Sequence, residues 1–131
     1  MAQARGTFEV KLTPQTGVHR PEGSSLSRMT IDKYFHGDLS GTSQGEMLSA
    51  MGGVKGSAGY VAIEQVTGTL QARAGTFALQ HNGVMDRGSP TLSIQVVPDS
   101  GTGELTGLKG SLTIQIEDGK HSYVFDYTLP G

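Results

Sequence analysis

Cysteine is absent from the 131 residues. That excludes thiol catalysis, cysteine-ligated zinc and a disulfide scaffold. No apolar run approaches the ~20 residues of a membrane helix. No basic stripe is present and the formal net charge is −2, so nucleic acid is not the expected partner. The first residues, MAQARGTFEV, carry one Arg and no apolar core of a secretory signal; no membrane partner and a cytoplasmic location are the expectations. A sustained apolar stripe of period 3.6 is missing as well, and only Gly45 to Met51 has room for a helical turn.

Glycine is what the chain has in excess, 20 residues of 131. It is not periodic, which excludes collagen, and it alternates with Val, Ile, Thr, Phe and Tyr, which argues against disorder. Short β-like runs separated by glycine point to an all-β protein. Thr7 to Leu12 alternates, with Phe8, Val10 and Leu12 on one face. Pro14 to Ser27 is rich in Pro, Gly and Ser and is expected to be a long loop. Ser27 to Leu39 alternates again through Met29, Ile31, Phe35 and Leu39, a face that Lys33 interrupts. Gly41 to Met51 is a weaker strand.

Gly56 to Asp86 reads as two long strands folded back on each other. A turn centred at Ala72-Arg73 sets Glu64 opposite His81, Val66 opposite Leu79, Gly68 opposite Phe77 and Tyr60 opposite Met85. Pro90 to Val97 is a further strand, and Glu104 to Ile116 another, after the turn cluster Pro98 to Gly103. Asp118-Gly119 is the strongest hairpin signal, suited to a type I′ turn. It sets Ile116 opposite His121 and Ile114 opposite Tyr123. The sum is about eight evenly spaced strands in one domain over residues 1–131, hence a single antiparallel β-barrel, because closure removes exposed edges. A barrel of that size has room for side chains or one small ligand.

GDLSGTSQGEML, GSAGYVAIEQVTGTL, GTFALQHNG, VVPDSGTGELTGLKGSLTI and DGKHSYVFDYTLP together resemble a bacterial family known only as a domain of unknown function. Structures in that family are described as allene-oxide-cyclase-like β-barrels. The resemblance covers about Gly6 to Pro130 and implies the barrel. It implies almost nothing about function, because fold does not fix chemistry. Plant allene oxide cyclases and dirigent proteins share this barrel and shape reactive intermediates in a largely apolar cavity. No motif of either is matched here, so neither lends a catalytic residue.

Glu64 and His81 are the leading catalytic candidates. A carboxylate beside an imidazole orients it and raises its basicity, giving a general base near neutral pH. Burial is expected to raise the Glu64 carboxyl, with the pair titrating as a unit. A hydrogen-bonded pair that fixes hairpin register, helped by Gln80 or Tyr60, is the competing reading. Tyr60, Tyr123 and Tyr127 fall in phase with the inward faces, either as ligand-binding phenols or as core aromatics. Gln80 and Glu104 complete the ligand-binding candidates, Glu104 through its parity with Leu108.

Ser100 to Glu104 is a glycine-flanked turn, but GTGELTG lacks the dinucleotide spacing and no helix follows. Gly41 to Gly45 matches G-x-S-x-G without the strand-turn-helix that a nucleophile elbow at Ser43 needs. The four histidines have no metal-ligand spacing, so no metal and no cofactor are expected. His36-Gly37-Asp38 brings an imidazole and a carboxylate to a strand end. The functional expectation is a barrel binding a small apolar or aromatic ligand, a cyclase or isomerase working through Glu64 and His81. The alternative is a non-enzymatic structural or oligomeric barrel with a filled core. Val61 and Ile63, on the opposite face of their strand, are too apolar for solvent and point to a homo-oligomer.

Overall fold

The computed structural model describes residues Met1 to Gly131. Eight antiparallel strands follow one another around a closed barrel: β1 (Ala2–Gln15), β2 (Ser27–Gly37), β3 (Leu39–Met51), β4 (Ala58–Leu70), β5 (Arg73–Asp86), β6 (Ser89–Val96), β7 (Lys109–Glu117) and β8 (Lys120–Thr128). β1 closes the ring by pairing β8 through Ala2–Phe8 and β2 through Gly6–Gln15. The Pro14–Ser27 loop is shorter than expected, because β1 runs on to Gln15 before the chain leaves the sheet. Gly45 to Met51 is strand, not helix; its alternation continues in register with β2 and β4.

Glu104 to Ile116 is not one strand. A 3-10 turn at Gly103–Leu105 precedes β7, and it drops Leu105 and Leu108 into one end of the barrel. β6 and β7 meet at a single residue pair, Gln95 with Ser111, the thinnest seam of the wall.

Type I′ turns need positive φ at both central residues. Asp118-Gly119 supplies it and gives the expected pairs Ile116–His121 and Ile114–Tyr123. The β4–β5 turn is one residue earlier than expected, at Gln71-Ala72, both at positive φ. Each partner on β5 therefore shifts by two. Glu64 faces Leu79, His81 faces Ala62, Val66 faces Phe77, Gly68 faces Gly75 and Tyr60 faces Gly83. A shift of two preserves the side-chain face, where a shift of one reverses it. Glu64 and His81 thus remain on the inner surface, as diagonal neighbours.

The inner positions divide the barrel along its axis. At one end Leu39, Leu70, Phe77, Leu105, Phe125 and Tyr127 form a closed apolar core, with the Phe77 and Phe125 rings stacked at 5.8 Å. At the other end Leu12, Met85, Leu92 and Ile116 hold the same inward parity, yet Leu12 is 46%, Leu92 44% and Ile116 67% exposed. That end is an open, apolar mouth. On the outside, Leu48, Val61, Ile63 and Val84 are exposed, as expected for Val61 and Ile63.

Candidate functional site

Between the filled end and the mouth lies one polar layer. Glu64, from β4, is fully buried and is its centre. Lys33 Nζ donates to Glu64 Oε2 at 2.7 Å. His81 Nε2 lies 2.7 Å from the same oxygen. Ser43 donates through its hydroxyl to the other oxygen, Oε1, at 2.9 Å. Three strands, β2, β3 and β5, therefore deliver one side chain each to a single carboxylate on β4. Lys33 is the residue that interrupts the apolar face of β2; its ammonium also lies over the Phe8 ring, 5.1 Å from the centroid, and near that of Phe35. Burying a carboxylate is costly unless it is paired and hydrogen-bonded, and here both oxygens are engaged.

Burial acts to raise the Glu64 carboxyl, but the hydrogen bond from His81 and the charge and hydrogen bond of Lys33 together hold it down at about 2. This reverses the expectation from burial alone: the His81 hydrogen bond lowers it most, and the charge and hydrogen bond of Lys33 add to that. Glu64 is a carboxylate at neutral pH and accepts from every neighbour. It follows that His81 donates to it from Nε2, which leaves Nδ1 as the ring nitrogen facing Tyr60. The Tyr60 hydroxyl lies 3.4 Å from Nδ1. Burial, reinforced by the Glu64 charge, raises the Tyr60 phenol above its ordinary value, so Tyr60 is a neutral donor.

Two glycines make this geometry possible. A Cβ at Gly83 would lie 2.2 Å from the Tyr60 ring, so the bare backbone of β5 is what lets the ring lie across toward His81. Gly45 pairs with Glu64, and a Cβ there would lie 2.6 Å from Glu64 Cα. Tyr60 also lines a pocket of about 430 Å³ that opens largely on the outer face of β3, β4 and β5. The loop after β1 contributes Val18 and Leu26 to that pocket, and the outward side chains Leu48, Val61 and Val84 supply its wall. Its size is that of a small-molecule site.

The other candidates lie elsewhere. Tyr123 is buried toward the filled end; its hydroxyl accepts from Leu39 N at 2.9 Å and shares its one proton between the His36 and Leu39 carbonyls, which pins the β2–β3 turn. Tyr127 donates to the Gln71 side chain at the β4–β5 turn. Gln80 has outward parity beside Ile63 and is exposed, so it does not reach the interior. Glu104 sits on the 3-10 turn and accepts from Ala74 N at 3.1 Å, not in the mouth. Ser100 and Thr102 accept likewise from Ala78 N and Thr76 N. Together the three side chains satisfy the amides of β5 beyond the last β6 pair, Leu79 with Val96. His36 lies on the outside, 3.3 Å from Glu9, and Asp38 accepts from Arg5 N. Lys33 and Ser43 are the participants that sequence reasoning missed. The signal for Lys33 was its inward parity on an otherwise apolar face.

Comparison with curated proteins finds no match to the chain. A crystal structure of a protein of unknown function from the DUF3224 family of Shewanella oneidensis MR-1 superposes with a TM-score of 0.95. It is 53% identical, and the match covers 100% of this chain and 98% of that one. The model of the family described as "Protein of unknown function (DUF3224)" matches residues 4–127. The chain belongs to this family of eight-stranded barrels.

Proposed function

We propose that the barrel binds a small apolar or aromatic molecule bearing one hydroxyl or carbonyl group, and that the polar layer moves a proton on it, as an isomerase or cyclase does. One observation carries the reading. Glu64 fixes His81 through Nε2 and leaves Nδ1 directed at Tyr60, and in the strand register only Gly83 stands between Tyr60 and Leu92 of the mouth. The apolar body of the ligand rests against the mouth, and its oxygen meets the Tyr60 phenol. A positioned acid or base contributes about 10²–10⁴-fold to a rate, and this arrangement supplies one phenol and one imidazole in line. Glu64, ionised and fully engaged, orients rather than exchanges protons.

A second reading has its own support. Every buried polar atom of the side chains has a partner within the protein, and the end below the layer is filled. A structural barrel locked in register by a satisfied network needs no more than that. A thermal-shift screen with alkylphenols and cyclic ketones separates the two. Ligand binding predicts stabilisation that Tyr60→Phe and His81→Gln each remove while the proteins stay folded. A lock predicts no stabilisation by any compound, and variants that lose melting temperature alone. For the outer apolar face we keep the proposal of a homo-oligomer, which sedimentation as a monomer overturns.

A further inference from the structure

We propose that Lys33 makes the polar layer a receptor for a weak organic acid, a phenol or an enol, which it takes up as the anion with the proton passing to His81. This rests on the ligand-binding reading above and adds the ionisation state of the ligand and the residue that sets it.

Two basic side chains and one carboxylate meet at a single oxygen. Lys33 Nζ and His81 Nε2 both lie 2.7 Å from Glu64 Oε2. Glu64 holds one negative charge and Lys33 one positive, so the layer is neutral while His81 is neutral. Nε2 of His81 is engaged by the carboxylate, so Nδ1 is the ring nitrogen left facing Tyr60 and the one open to a further proton. The groups facing His81 are Glu64 and Tyr60 from β4, Lys33 from β2 across the shared oxygen, and Ser43 from β3 through Glu64. The residue paired with it on β6 is Ile94, which carries no charge.

An acidic ligand completes the balance. The ligand O–H bond breaks and its proton goes to the Tyr60 oxygen. The Tyr60 proton passes to His81 Nδ1, 3.4 Å away. The ligand is then an anion, Tyr60 is again a neutral phenol hydrogen-bonded to it, and His81 is an imidazolium beside Glu64. The layer has gained one positive charge against the ligand's one negative charge. Remove Lys33 and the layer loses the positive charge that offsets Glu64. The same ligand would then leave an unbalanced negative charge in a buried layer, and it binds as the neutral acid or not at all.

The test uses 4-nitrophenol, whose anion has its own absorbance band, and 4-nitroanisole, which has the same shape and no acidic proton. At a pH where free 4-nitrophenol is mostly protonated, the wild-type protein is expected to bind it with an anion-to-acid ratio about tenfold or more above that of the free probe. Nitroanisole should bind about tenfold more weakly. Lys33→Met should return the ratio to that of the free probe. Glu64→Gln removes the negative charge instead, so it should keep or raise the anion fraction. That opposite direction distinguishes charge balance from simple damage if Lys33→Met folds poorly. Equal binding of both probes, with nitrophenol in its acid form, overturns the inference and leaves the ligand-binding reading standing. Binding of neither probe overturns both.

Discussion

The two ends of the barrel are built from the same alternation and differ in what the inward positions carry. At the filled end they are Phe77, Phe125, Tyr127 and Leu70, sealed by Leu105 and Leu108 from the segment between β6 and β7. At the mouth they are Leu12, Leu92 and Ile116, the same kind of residue left in contact with solvent. Nothing in strand geometry requires this. Exposed apolar surface of this kind is where an interaction is to be sought, and the ligand proposed above is assigned to this end. The polar layer sits at the boundary between the two.

The largest effect that breaks the comparison belongs to the filled end. Phe77→Ala removes a fully buried ring stacked on Phe125 and leaves a cavity in a closed core. It should cost about 3–5 kcal/mol in urea unfolding. A loss below about 1 kcal/mol would mean that this end is as open as the other.

The boundary layer comes next, through pH. The Glu64 carboxyl stands at about 2 in the folded protein against an ordinary 4.5. The folded state holds the carboxylate more strongly than the unfolded chain does. Its contribution is therefore complete above the ordinary value and is lost as pH falls from about 4.5 toward about 2. By linkage it is roughly 3 kcal/mol. Unfolding free energies measured between pH 6 and pH 2 should fall steeply over that window in the wild type. Glu64→Gln, already weaker at pH 6, should show a flatter profile. Parallel profiles would show that the layer does not hold an ionised Glu64.

Tyr123→Phe is the third step. It removes a hydroxyl that serves Leu39 N and two carbonyls at the β2–β3 turn, and should cost about 1–3 kcal/mol with no effect on ligand binding. An effect on binding would move Tyr123 from the structural end to the functional one.

Alternation was the legible part of this molecule. Phe8, Ile31, Phe35, Leu79, Ile94 and Phe125 lie inside because period-2 patterning permits little else, and Asp118-Gly119 set its own hairpin register. Turn position was legible only where the residues were typical of the turn. Gln71-Ala72 are not residues that favour positive φ, and the sequence around them did not distinguish that turn from one a residue later. Glu64 and His81 survived the error because parity survived it. Lys33 and Ser43 were visible as residues and not as partners, since contact between β2, β3 and β4 side chains depends on barrel closure and stagger. Glu104 fell for a related reason. Its parity with Leu108 counted only if the strand were continuous, and the 3-10 turn that seals the core breaks it.

The smallest expected effect on stability sharpens the comparison most. Leu12→Ser with Ile116→Ser alters two inward side chains that are already about half or more exposed. Substitutions at such positions usually change stability by about 0.5 kcal/mol or less, against several for one ring at the filled end. If the mouth exists to receive an apolar body, these residues lose their exposure when a ligand is present. Each buried methylene then contributes up to ~0.8 kcal/mol to binding. The double variant should unfold at nearly the wild-type urea concentration and bind 4-alkylphenols at least about tenfold more weakly, the deficit growing with alkyl chain length. The growth with chain length matters, because a general disturbance of the site would weaken every homologue alike, whereas loss of an apolar wall penalises the longer chains more. If instead the variant loses as much stability as Phe77→Ala, the mouth is a second core and the barrel has two filled ends.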